Sequence, residues 1–357
     1  MGRLSATADS PMRGMHDLPA RVLIVDDSVV ARSVLGRMIE GTRRFTVAGA
    51  VSDARAALAF LEGQTVDIIL LDIEMPGVDG LTALPDLIAV ANGAKVLIVS
   101  SSADEGAAVT IQALALGAAD TLVKPGVGAF GGRFAEVLEE RLTRLIDTPG
   151  YASETHVLPP RAAVQDNFDV VAIGASTGGI HALSLLLRAI PASFRVPILV
   201  TQHLPASFMS YFATQLAVLG GRPCEVATDR MRIREGRIIV APGNAHMRCI
   251  RTADGAAIKL TDEKCSSGCM PSVDPMFEGV AEVYGARALG IVLSGMGRDG
   301  SEGARNLIKA GGRIVVQDRA SSVVWGMPGG IVNAGFASAI LPPDEIGRLV
   351  ATQRRPQ

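Results

Sequence analysis

Along this chain the apolar positions switch repeatedly between short unbroken runs and a helical period. From Arg21 to about Arg144 the runs RVLIVDD (21–27), FTVAGAV (45–51), VDIILLDI (66–73), KVLIVSS (95–101) and ADTLVKP (119–125) read as strands. The segments 31–40, 53–63, 81–90, 104–117 and 133–145 repeat apolar residues at helical spacing. A helix after every strand predicts a doubly wound parallel sheet, with its site at the carboxyl ends of the strands.

The same alternation returns after a break. Residues 148–167, TPGYASETHVLPPRAAVQDN, combine proline and polar residues without an apolar period and read as a linker. Beyond it come VVAIG (170–174), a helix over 179–190, PILVTQH (197–203) and a helix over 207–219. A stretch of short strands and turns (224–262) follows, then helix 273–285, ALGIVLSG (288–295), helix 300–310 and RIVVQD (313–318). The predicted organisation is a disordered leader (1–19), an α/β domain (20–146), a linker (147–167), a second, Rossmann-like α/β domain with a short-strand β insertion (168–350), and a tail (351–357).

Composition narrows this picture. The 357 residues are 48% hydrophobic but only 4% aromatic, so both cores must be aliphatic, as suits parallel strands covered on two faces. A net charge of −2 gives nucleic acid no electrostatic footprint. No apolar run reaches the length of a membrane span, and the first 20 residues lack a signal-peptide core; both point to a cytoplasmic protein, expected to act as a monomer. Cys224, Cys249, Cys265 and Cys269 all lie in the second half. With His246 they could form a His-x-x-Cys…Cys-x-x-x-Cys zinc site, but ordinary reduced thiols are the preferred reading.

In the first half, Asp26 and Asp27 end the first strand, Asp72 the third, Ser100 and Ser101 the fourth, and Lys124 the fifth. Converging at one edge, three carboxylates repel unless a cation joins them, and oxygen donors of this kind suit Mg²⁺ beside a phosphoryl group. Asp72 can then attack a phosphoryl donor while Lys124 and Ser100 hold its oxygens. Each piece alone could equally be a helix cap or a plain loop. Together they resemble the receiver domain of two-component response regulators, over residues 20–146 and including LLDIEMPGVDG and the VKP at 123–125. The resemblance implies a flavodoxin-like fold, Asp72 as phosphoacceptor, Asp26 and Asp27 with Asp72 as Mg²⁺ ligands, and Ser100 and Lys124 as sensors of the phosphoryl group. Thr121 stands where many receivers carry a switch aromatic.

In the second half, Gly174, Ser176 and Gly178 fit G-x-S-x-G at a strand-to-helix corner, a nucleophile elbow or else an N-cap or phosphate cradle. A nucleophilic serine needs a base and an orienting acid. Of five histidines, His16 and His156 lie in the leader and linker, His181 on a helix where exposure is expected, and His246 after a turn where it could line a groove. His203, ending the next strand, is the best base. Asp299 in LSGMGRDG is the favoured acid over Asp274 and Asp318, because its glycines permit close approach. The N–H groups of Thr177 and Met296 are the candidate oxyanion donors. The order Ser…His…Asp differs from that of α/β-hydrolases, and G-x-G-x-x-G is absent at 174–179.

Six ordered blocks, IGASTGG (173–179), TQHLP (201–205), APGNAHM (241–247), PSVD (271–274), LSGMGRDG (293–300) and VVWGMPGG (323–330), are similar to those of the chemotaxis protein-glutamate methylesterase and protein-glutamine deamidase family. The resemblance implies a phosphorylation-activated serine hydrolase needing no metal for its chemistry. Its substrates would be γ-glutamyl methyl esters on methyl-accepting chemotaxis receptors, and its phosphodonor a chemotaxis histidine kinase. It carries nucleophile, base and acid onto Ser176, His203 and Asp299. The segment EKCSSGCM before PSVD departs from the more basic approach expected there. Competing readings are a non-catalytic receptor-binding phosphate sink, a transcriptional regulator, and an esterase of the same family serving another chemosensory pathway.

Overall fold

The computed structural model describes residues 18–100, 107–124, 132–146 and 167–352. The expected leader up to residue 17, nearly all of the linker, the end of the tail, and His16, Ser101, Pro125 and His156 lie outside the described residues.

The first half contains β1 (Ala20–Val25), α1 (Val29–Glu40), β2 (Phe45–Val51), α2 (Ala54–Gly63), β3 (Ile68–Asp72), α3 (Gly80–Val90), β4 (Lys95–Ser100), α4 (Ala107–Leu116), β5 (Asp120–Val123) and α5 (Gly132–Ile146). Its five strands are parallel in the order β2-β1-β3-β4-β5. Side-chain caps start the helices where the chain leaves the sheet: Ser28 accepts from Ala31 N at 3.2 Å, Asp53 from Ala56 N at 2.9 Å and Asp79 from Thr82 N at 2.7 Å. The topological switch between β1 and β3 opens a crevice at their carboxyl ends.

The second half contains β6 (Val170–Ala175), α6 (Gly179–Arg188), β7 (Ile198–Gln202), α7 (Met209–Gly220), β8 (Cys224–Val226), β9 (Ile238–Val240), β10 (His246–Thr252), β11 (Gly255–Thr261), α8 (Val273–Tyr284), β12 (Ala288–Val292), α9 (Ser301–Lys309), β13 (Arg313–Gln317), α10 (Gly326–Asn333), β14 (Ala339–Leu341) and α11 (Pro343–Ala351). Seven strands form one parallel sheet, β14-β13-β12-β6-β7-β9-β8. Every residue of β6, β7 and β12 is buried, the signature of strands covered on both faces.

Three differences from the sequence reading have physical causes. The expected β insertion is smaller: β8 and β9 join the main sheet, and only β10 and β11 form a separate antiparallel hairpin. Helix α10, GMPGGIVN, has the glycines and proline of a loop, yet it is held by packing of buried Met327, Pro328 and Ile331. Helix α4 is apolar nearly all round because it is buried twice. One side covers its own sheet and the other packs on α6 and α7 of the second half.

Candidate active site

Three adjacent strands of the second sheet place the candidate triad. Ser176 follows β6, His203 follows β7, and Asp299 lies in the loop after β12. These neighbours put the three side chains on one rim although 123 positions separate Ser176 from Asp299 (299 − 176). His203 Nδ1 lies 3.1 Å from Ser176 Oγ, and His203 Nε2 lies 2.7 Å from Asp299 Oδ2. The imidazole therefore meets the serine through Nδ1 and the carboxylate through Nε2, the reverse of the chymotrypsin template. With the proton held on Nε2 by Asp299, Nδ1 is the basic nitrogen that faces the hydroxyl.

The corner that carries Ser176 depends on glycines. Gly178 has φ +75°, and a Cβ there would stand 2.5 Å from Val323. Gly295 lies so close beneath that a Cβ would be 2.8 Å from the Ser176 Cβ and 2.3 Å from Met327 Sδ. Ser176 N donates to Ser294 O at 3.0 Å, and Gln202 Nε2 donates to Ser176 O at 2.9 Å, so the turn is pinned from both flanking strands. Thr177 and Met296 line the same cavity of about 500 Å³ as Ser176 and His203. Among the described residues, neither of their backbone N–H groups makes a hydrogen bond within the protein.

Asp299 is buried, 2% exposed, and fully engaged. Its Oδ1 accepts from Ser272 Oγ at 2.6 Å and from Gly300 N at 3.0 Å, and its Oδ2 accepts from Val273 N at 2.8 Å as well as from His203. Burial opposes ionisation of both partners, but their mutual hydrogen bond prevails. Asp299 is lowered to about 2, and His203 is raised to about 9 with Cys269 adding to the rise.

Among the rival acids, Asp274 accepts from Gly303 N at 2.8 Å at the start of α9. Burial together with nearby Asp299 raises its carboxyl to about 7. Asp318 pairs with Ser321 in a turn instead. His181 is half-buried rather than exposed, because its Nδ1 sits 3.0 Å from Ala115 O of the first half. His246 lines a cavity of about 450 Å³ with Arg248 and Lys259, separate from the one that holds Ser176. His246 is 1% exposed, accepts from Ser272 N at 2.9 Å through Nδ1, and donates to Glu263 O at 2.8 Å through Nε2. Ser272, which the sequence reading did not single out, thus links His246 to Asp299; its signal was the serine of PSVD one position before a buried helix.

All four cysteines are free thiols. The free thiols are the preferred reading; the alternative zinc set of His246 and the cysteines does not assemble, since Cys249 is buried in β10 and only Cys265 approaches His246, at 3.4 Å. Cys269 lies elsewhere, with His203 and Asp299.

In the first half, Asp26, Asp27 and Asp72 bring carboxylate oxygens within 4.8 Å of one another at the β1–β3 crevice. Lys124 Nζ stands 2.7 Å from Asp26 Oδ2 and 2.6 Å from Asp72 Oδ2, and Ser100 is buried at the end of β4. Asp26 Oδ2 is buried and, apart from that ammonium, has no partner among the described residues. Burial raises the Asp72 carboxyl against the lowering pull of Lys124, and the two aspartates raise Lys124 against its own desolvation. Three carboxylates, one with an under-satisfied oxygen, are a donor set that fits a hard divalent cation such as Mg²⁺ beside the Lys124 ammonium.

The halves meet over the triad. Gly178 N donates to Ala119 O at 3.1 Å, placing a first-half carbonyl two residues from Ser176. Leu114, Ala118, Asp120, Arg141 and Arg144 form the far wall of the cavity that holds Ser176. Among the described residues no helix is long and apolar enough to cross a membrane.

Comparison with known proteins agrees with this two-part architecture. The profile of the CheB methylesterase family matches residues 171–350, and that of the response regulator receiver domain matches residues 22–128. A protein-glutamate methylesterase/protein-glutamine glutaminase of Caulobacter vibrioides is 40% identical over 345 residues, covering 94% of this chain and 99% of its own. A namesake from Azospirillum brasilense is 37% identical, covering 96% of this chain and 94% of its own. The crystal structure of the Thermotoga maritima CheB methylesterase catalytic domain superposes with a TM-score of 0.51 at 29% identity, covering 52% of this chain and 99% of that one.

Proposed function

Because the chain belongs to the CheB methylesterase family and carries a response regulator receiver ahead of that part, we propose that Ser176, His203 and Asp299 perform its hydrolysis under the control of Asp72. The protein is a phosphorylation-activated protein-glutamate methylesterase and protein-glutamine glutaminase of chemotaxis. The contact chain Ser176–His203–Asp299 is the observation that carries the catalytic assignment.

Ser176 Oγ attacks the side-chain carbonyl of a γ-glutamyl methyl ester on a methyl-accepting chemotaxis receptor, and His203 Nδ1 takes its proton. The oxyanion forms against the N–H groups of Thr177 and Met296. His203 returns the proton to departing methanol; water then enters by the same base and releases glutamate. A glutamine amide fits the same path, with ammonia leaving.

In the receiver, Asp26, Asp27 and Asp72 would hold Mg²⁺, which would neutralise the crowded carboxylates and the incoming phosphoryl oxygens. Asp72 accepts the phosphoryl group from a chemotaxis histidine kinase, and Ser100 and Lys124 register it. Once Lys124 turns to the phosphoryl group, its pairs with Asp26 and Asp72 reorganise, and the α4 side of the receiver loosens its hold on the cleft. The protein acts in the cytoplasm as a monomer, without nucleic acid. Full division into a receiver at 20–146 and a catalytic domain at 168–350, joined by a linker, belongs to the same reading.

The test is methanol release from methylated receptor membranes, with and without a small phosphodonor and Mg²⁺. The donor is expected to raise the rate of the parent protein about tenfold or more, and Asp72→Ala is expected to erase that rise. A phosphodonor effect that survives Asp72→Ala would refute the coupling.

The raised His203 also fixes a pH dependence. A protonated imidazole cannot accept the serine proton, so activity of the unphosphorylated chain is expected to climb about tenfold per pH unit below about 9 and to level off above it. Cys269→Ala removes one contribution to that rise. Its acidic limb is expected to lie at lower pH than the parent's, read from kcat/KM between pH 6 and 10.

A further inference from the structure

The loop between β11 and α8 brings Cys269 to the triad. There its sulfur, an imidazole nitrogen of His203 and a carboxylate oxygen of Asp299 all lie within 4.8 Å of one another. We propose that these three side chains form an inhibitory site for Zn²⁺ or a similar thiophilic divalent cation, superimposed on the catalytic machinery.

The donor set is one thiol, one imidazole and one carboxylate, a combination that suits zinc and is poor for Mg²⁺ or Ca²⁺. Zinc–ligand bonds of about 2.0–2.3 Å place tetrahedral donor atoms roughly 3.3–3.7 Å apart. Reaching that spacing from the present Nε2–Oδ2 separation of 2.7 Å needs an opening of roughly 0.6 Å, since this nitrogen–oxygen pair sits at the short end of the range.

The surrounding shell is already built. Ser272 Oγ, Gly300 N and Val273 N fix the Asp299 carboxylate from behind, as outer-shell donors do at zinc sites. An entry path exists too: cavities of about 660 and 500 Å³ on either side share Ser267, Cys269, Met296 and Gly297 as a common wall. The other cysteines offer less. Cys224 and Cys249 lie in strands with their thiols raised to about 12 by burial, and Cys265 meets His246 without a carboxylate in the cluster.

The ligating forms are a thiolate and an unprotonated imidazole nitrogen, so the metal competes with protons at the site. A ligated imidazole is held by the metal and cannot shuttle the serine proton, so the cation stops hydrolysis without touching Ser176. Water or chloride completes the fourth position.

The test uses the full-length chain stripped with a chelator and free of Mg²⁺. Co²⁺ titration is expected to give a near-ultraviolet thiolate-to-cobalt band saturating at one equivalent and displaced by Zn²⁺. The band should vanish in Cys269→Ala and persist in Cys265→Ala. The receiver carboxylates carry no thiol and cannot produce it.

In the methanol assay, buffered Zn²⁺ is expected to lower the parent rate more than tenfold, reversibly with chelator. Cys269→Ala, compared with its own zinc-free rate, should need at least tenfold more Zn²⁺ for the same fractional loss. The proposal fails if the band is absent, survives Cys269→Ala or disappears in Cys265→Ala, if the variant's zinc sensitivity is unchanged, or if zinc raises the rate. Spectroscopy does not depend on the esterase reading. A metal-free protein that releases no methanol would overturn that reading and leave the cobalt band to decide the site.

Discussion

Ser176→Ala is expected to lower methanol release from methylated receptors by about 10⁴- to 10⁶-fold, with the folded state intact. The serine is half-buried at a corner held by backbone bonds from Ser176 N to Ser294 O and from Gly179 N to Ser176 O. Alanine keeps both bonds and all the packing, so thermal melting and receptor binding should match the parent. What is lost is the attacking oxygen 3.1 Å from the base. The residual rate reports what Thr177, Met296 and substrate binding contribute to attack by water. Release at the parent rate would place the nucleophile elsewhere.

Asp299→Asn is expected to cost activity on the order of 10⁴-fold and, unlike the serine change, stability as well. The carboxylate accepts from Ser272 Oγ, Gly300 N, Val273 N and His203 Nε2 in a buried position. An asparagine must turn its NH₂ towards one side. Facing Val273 N and His203, or Gly300 N and Ser272, it opposes donor to donor. Leaving buried donors unmet costs about 2–4 kcal/mol, read as a lower melting temperature. Without the anion, His203 loses its main support, so its pKa falls and Nε2 no longer holds the proton that makes Nδ1 the base. A rate within tenfold of the parent would return the role of acid to Asp274.

Much of this was legible in the strands. The aliphatic runs ending in Asp26, Asp72 and Lys124, and those ending at Ala175, Gln202 and Val292, fix which side chains reach each sheet edge. Parallel topology then does the rest. The parts that were not legible lie where no period exists. Ser272 and Cys269 sit in a loop whose path follows from buried His246, and nothing in EKCSSGCM announces that one thiol turns to the triad. The apolar monotony of α4 hid its second partner, because a helix buried on two sides has no polar face to mark the interface. His181 was misplaced for the same reason: exposure was assigned from one domain while the other covers it.

The hydrogen bond from Gly178 N to Ala119 O has a thermodynamic corollary. A backbone carbonyl of the first half there accepts from an amide two residues beyond Ser176, in the wall of the same cavity. If receptor docking and phosphorylation both require that contact to open, linkage makes their coupling reciprocal. By whatever factor phosphoryl transfer favours docking of a receptor, a docked receptor favours the released, phosphorylated regulator by the same factor. The adapting receptor becomes an effector of the signal that modifies it.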